Sequence, residues 1–118
     1  MKEEQWTREF PAAITVSDPE GIILAMNDKS CVVFAEDGGA ALIGTNMMDC
    51  HPEQARKKVR ELLTSRIPNV YTIEKGGIKK LIYQSPWYQD GTYAGIVELS
   101  IPIPWEIPHV VRDKPPGL

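Results

Sequence analysis

The stretch from Val70 to Ile101 constrains this chain most. Val70 to Lys75, Ile78 to Tyr88 and Thr92 to Ile101 are β-rich runs separated only by Gly76-Gly77 and Asp90-Gly91. Gly-Gly and Asp-Gly supply the two positive φ angles that a tight hairpin turn demands, so three antiparallel strands in series are predicted. If Asp90-Gly91 closes a two-residue loop, Tyr88 stands opposite Tyr93, Gln84 opposite Val97 and Ile82 opposite Leu99. One face then collects Ile82, Gln84, Val97, Leu99 and Ile101. The other collects Leu81, Tyr83, Trp87, Ala94, Ile96 and Glu98, too apolar for a bare solvated surface. A slip of one residue would exchange the two sets.

Upstream, residues 12 to 17 and 22 to 26 read as strands joined by the turn Asp18-Pro19-Glu20-Gly21. Asn27 and Asp28 suit the cap of a helix running to Phe34. Residues 36 to 44 hold three glycines and read as loop with one helical turn. A longer helix starts at Pro52, with Ala55, Val59, Leu62 and Leu63 in one apolar stripe and Glu53–Lys57 and Lys57–Glu61 spaced for ion pairs. Its basic residues read as a solvated face. Ahead of the first strand, residues 2 to 10 form a short helix with Trp6 and Phe10 on one side, ended by Pro11. The expected architecture is α+β: a five-stranded antiparallel sheet with helices on one face, an N-terminal helix and a Pro-rich C-terminal tail. The expected organisation is a helical cap over residues 1–10, one domain over 11–102 and a tail over 103–118.

A chain of 118 residues suffices for one core. Thirteen Lys and Arg against sixteen Asp and Glu give a net charge of -3, which argues against bulk attraction to nucleic acid. No apolar run is long enough for a bilayer, and the acidic start from Met1 to Gln5 is unlike a secretory signal, so a cytoplasmic protein is expected. Cys31 and Cys50 are then free thiols rather than a disulfide framework. No metal site is expected, since Cys31, Asp49, Cys50 and His51 match no compact zinc spacing.

Several segments taken together resemble a PAS domain, the sensory fold of many bacterial signalling proteins. They are Asp18-x-x-Gly21-x-Ile23 with Asn27, the helix Asp28 to Phe34, Leu42-Ile43-Gly44 before the long helix, the hairpin around Asp90-Gly91, and Gly95 to Ile101 as last strand. Ser100 stands where many members carry aspartate. Cys50-His51-Pro52 is similar to a segment of small stand-alone bacterial PAS proteins. The resemblance implies a cupped sheet roofed by helices, an internal cavity for a small molecule, and signalling through a homodimer or a protein partner. The dimer surface it implies is the first helix and outer sheet face, here Trp6, Phe10, Tyr83, Trp87 and Ile96. With no output domain in these 118 residues, such a chain either acts in trans, which is the expectation, or is a piece of a larger protein; in both cases a non-catalytic module touching neither nucleic acid nor membrane is expected.

The expected ligand-binding residues are Met26, Phe34, Asn46, Met47, Met48, His51, Tyr71 and Gln84. Gln84 anchors this set: an amide on an apolar face needs a partner, which a ligand, water or Asn46 would supply. Gly44-Thr45-Asn46 resembles the flavin photosensor motif, but Met47 replaces the adduct-forming cysteine and a thioether forms no such adduct. Haem with His51 as axial ligand is an alternative. Its competitor is His51 as helix cap or polar pocket residue, since Pro52 forces it into extended backbone. A further alternative is a small cavity enzyme with His51 and Asp49 as acid and base, although no paired catalytic signature supports it. Beyond Ile101 the prolines cannot join a sheet interior, and Trp105, Ile107, Val110 and Val111 are expected to pack on the domain or on a second subunit, with Trp105 near Trp6.

Overall fold

The computed structural model describes residues 5–114, apart from the side chain of Cys50. The first four residues of the expected N-terminal cap, the Pro115-Pro116 end of the tail and any role for the Cys50 thiol lie outside the described residues.

Five strands make one antiparallel sheet: β1 (Ala13–Ser17), β2 (Ile23–Met26), β3 (Asn69–Lys75), β4 (Ile78–Gln89) and β5 (Thr92–Ile103), in spatial order β2-β1-β5-β4-β3. The two hairpins form where the sequence demands them. Gly76 and Gly77 have φ of 59° and 78°, and Asp90 and Gly91 have 51° and 81°, so both central residues of each turn are left-handed.

Tyr88 pairs with Tyr93 as expected, but the register then slips. Trp87 pairs with Gly95, leaving Ala94 without a partner, so Gln84 faces Glu98 and Tyr83 faces Leu99. This bulge carries Ile96 and Glu98 to the face that holds Ile82 and Gln84. The two expected faces are corrected accordingly. Ile96, expected on the outer face, is 6% exposed and points inward.

The bulge also explains Gly95. Its φ is 131°, and a Cβ there would stand 1.9 Å from the Ser17 carbonyl oxygen. The same oxygen accepts a 2.9 Å hydrogen bond from the Trp87 indole, which spans Gly95 to reach β1.

Among the described residues three helices complete the fold: α1 (Gln5–Arg8), α2 (Asp28–Val33) and α3 (Glu53–Ser65). Short 3-10 turns at Ala35–Asp37 and Gly39–Leu42 occupy the segment expected as loop with one helical turn, and a third at Met47–Cys50 leads into α3. Asn27 organises one end of the molecule. Its Oδ1 accepts from the amides of Ile14 and Ser30, and its Nδ2 donates to the carbonyls of Ala12 and Thr7 at 2.8 and 3.0 Å. One buried amide thus caps α2 and ties β1 and α1 to it. Trp6 and Phe10 meet edge to face at 5.9 Å.

Pro52 is the cap of α3 rather than its first residue, with Val59 and Leu62 buried on the inner side. The expected Lys57 ion pairs do not form; Glu53 pairs instead with Arg56 and Arg60, and Lys58 with Glu61. The far end of α3 is pinned to the β4–β5 hairpin. Tyr93 donates its hydroxyl proton to the Leu63 carbonyl at 2.9 Å, and the Arg66 guanidinium lies 4.4 Å from the Tyr93 ring centroid.

Pro102, expected outside any sheet interior, pairs with Lys80 near the end of β5. The pairing of β1 with β5 ends at Ser100, so beyond it β5 has only one neighbour and a missing N–H is tolerated. The tail then folds back: the Trp105 indole donates to the Gly77 carbonyl at 3.3 Å, and Lys79 lies 5.7 Å from its ring. Trp105 therefore meets the β3–β4 turn, not Trp6. No helix of the described residues is long and apolar enough to cross a membrane.

Candidate functional site

The concave side of the sheet and the helices enclose a cavity of about 190 Å³. Its floor is Thr15 and Ser17 of β1, Ile23 and Met26 of β2, Tyr71 of β3, Gln84 of β4, and Ile96 and Glu98 of β5. Its roof is Phe34, Asp37, Leu42, Met47, His51, and Val59 and Leu62 of α3. A wider cleft of about 380 Å³ adjoins it between α3 and β3–β4, rimmed by Ala55, Lys58 and Asn69. The two spaces share His51, Val59, Leu62, Tyr71 and Gln84 as walls.

Of the expected ligand-binding residues, Met26, Phe34, Met47, His51, Tyr71 and Gln84 line this cavity. Asn46 and Met48 do not. Asn46 is occupied with the chain itself: its Oδ1 caps the Met48 amide at 2.9 Å and its Nδ2 donates to the Glu20 carbonyl at 3.2 Å. That leaves it no freedom to serve Gln84.

Gln84 finds its partners on the neighbouring strands. Asn69 Nδ2 donates to Gln84 Oε1 at 2.9 Å, and Gln84 Nε2 donates to Glu98 Oε2 at 3.2 Å. The carboxylate sets the direction of this relay, because an acceptor at its end forces each amide to present its NH₂ toward β5. Asn69, Gln84 and Glu98 are direct cross-strand neighbours. Glu98 is the residue that reading the sequence missed, since in the unbulged register it lies on the opposite face. The one available signal was Gln84 itself, a polar side chain with no polar neighbour opposite.

Burial holds the Glu98 carboxyl above the usual carboxylate range, while the hydrogen bond from Gln84 and the field of His51 pull it down. Tyr71 is raised too, by burial first and then by the charge of Glu98. His51 Nδ1 lies 2.6 Å from the Met47 carbonyl oxygen. A carbonyl can only accept, so Nδ1 carries a proton and Nε2 is the nitrogen left for other contacts. The backbone at His51 is extended, as Pro52 requires, and Arg56 Nε donates to its carbonyl at 2.8 Å.

The cavity as built, about 190 Å³, lies below the ~300 Å³ floor of pockets for drug-sized ligands and so gives haem no support. Asp49 is exposed and does not line the cavity, so the His51–Asp49 acid–base pair is not assembled.

With strand order and cavity in view, the fold is that of PAS domains. The Aer2 receptor from Vibrio cholerae, described as a dual PAS-heme oxygen sensor, matches with a TM-score of 0.61 and 20% identity, covering 79% of this chain and 95% of that one. The PAS domain of Bordetella pertussis BvgS matches with a TM-score of 0.58 and 22% identity over 83% and 81% of the two chains. That of the histidine kinase ThkA matches at 0.59 and 16% identity over 76% and 97%. No protein-family model matches the sequence, and no curated protein matches it.

Proposed function

We propose that this protein is a non-catalytic sensory module of the PAS type that receives a small molecule in its internal cavity and relays occupancy through a dimer or partner surface. The observation that carries the reading is the cavity itself: an apolar chamber into which Glu98, Gln84, Tyr71 and His51 converge, the mix that defines small-molecule sites. The relay surface is the outer sheet face. Paired residues Tyr83 and Leu99, Ile14 and Leu99, Val16 and Val97, and Leu81 and Ile101 form an apolar patch on the side away from α2 and α3. Trp6 and Phe10 add exposed aromatic area at α1. Ile96 drops out of this surface, and Trp87 is half-buried and tied to Ser17.

Native mass spectrometry of gently purified protein tests the reading. A bound small molecule of single-ring size that is lost on filling the chamber with Ile96→Trp supports it. Protein that binds nothing in a fragment screen, with no difference between wild type and the filled variant, overturns it. An intense violet absorption band that vanishes in His51→Ala would instead establish haem.

A further inference from the structure

The polar walls of the cavity are lopsided, and the imbalance says what enters. The hydroxyls of Thr15 and Ser17 are already engaged, with Ser30 and with the Asp18 carbonyl and the Ile96 amide. Gln84 spends its oxygen on Asn69 and one amide proton on Glu98. What remains is one Glu98 carboxylate oxygen with no donor among the described residues, the Asp37 carboxyl, Nε2 of His51, the Tyr71 hydroxyl and the second Gln84 amide proton, and the lining carries two carboxyl groups against no Lys or Arg. Among the described residues no Lys or Arg forms an ion pair with Glu98; the ion pairs are on the surface. A half-buried carboxylate with one oxygen open to the cavity favours an opposite charge or a strong donor. The remaining walls, Ile23, Met26, Phe34 and Ile96 among them, call for an apolar body.

Size narrows the choice. A cavity of about 150 Å³ takes benzene, so about 190 Å³ takes one ring and a short substituent. We propose that the cavity binds a single-ring amine, its ring among Met26, Phe34 and Ile96 and its ammonium group on Glu98. This rests on the cavity being a receptor site. Ammonium supplies three donors where the walls offer acceptors, and carboxylate ligands are repelled.

Calorimetric titration near pH 7 with benzylamine, benzyl alcohol and benzoate tests it. Benzylamine is expected to bind at least about tenfold more tightly than benzyl alcohol, as one charge-assisted hydrogen bond requires, with benzoate weakest. Glu98→Gln is expected to cost benzylamine at least about tenfold and to leave benzyl alcohol within about threefold. Benzoate binding as tightly as benzylamine overturns the proposal, as does a Glu98→Gln protein indifferent to the amine. If benzyl alcohol binds and the amine binds no better, the amine class fails while the receptor reading stands. If all three fail to bind, the receptor reading itself fails. The wild-type ranking decides the matter even if the variant does not fold.

Discussion

At the scale of single residues, three positions carry most of the consequence. Gly95 is where β5 bends under Trp87 and against the Ser17 carbonyl, so any Cβ collides with backbone that has nowhere to go. Gly95→Ala is expected to cost about 3 kcal/mol or more in urea unfolding, from overpacking and the positive φ together. Asn27 serves donors and acceptors from three elements, and Asn27→Ala leaves buried groups of Ile14, Ala12 and Ser30 unpaired. A loss of about 3 kcal/mol is expected; Asn27→Asp, which keeps the acceptor but not the donor, should recover part of it in the same experiment. Glu98 behaves in the opposite sense. Its carboxyl is raised in the folded state, so protonation favours folding. The favourable contribution is complete below the unfolded Glu range and is lost as pH climbs through the raised folded value. Glu98→Gln should therefore melt higher than wild type at neutral pH, the difference closing as the pH is lowered past the ordinary Glu range. A constant difference across that titration would show that Glu98 does not titrate differently on folding.

At the scale of elements, the two hairpins and α3 show how far local chemistry reaches. Asp90-Gly91 and Gly76-Gly77 close their turns as their backbone preferences require. α3 buries Val59 and Leu62, two residues of its expected stripe. What the sequence did not disclose was the single extra residue at Ala94. A bulge leaves no compositional mark beyond a glycine beside it, yet it reverses the orientation of everything from Gly95 to the end of β5. That one residue decides whether Glu98 faces solvent or the cavity. The contact between α3 and the hairpin is likewise tertiary. Tyr93→Phe removes the hydroxyl bond to Leu63 and is expected to lower stability by about 1 kcal/mol in chemical denaturation. If instead the loss exceeds that of a Tyr93→Phe/Arg66→Ala double variant, the ring contact with Arg66 is unfavourable.

At the scale of the whole molecule, one sheet face is roofed and forms the cavity, while the other stays apolar and bare of α2 and α3. If that bare face is where copies meet, Tyr83→Glu should shift sedimentation toward monomer without lowering the melting temperature, because Tyr83 is exposed. An unchanged sedimentation profile would remove Tyr83 from the relay surface. The tail contributes less. Trp105 is 55% exposed, and Trp105→Ala should cost less than about 1 kcal/mol. By itself the sequence determined the element order, the turns, the apolar stripe of α3 and six of the fifteen residues that line the cavity, because elements and turns follow from local backbone preference and periodicity. Only the tertiary structure decided the strand register beyond the hairpin, the partners of Gln84 and the inward place of Glu98. The reason is physical: a sheet's pairing is settled by the fit of neighbouring strands, and the close approach of Gly95 to Ser17 is a contact between residues far apart in the chain.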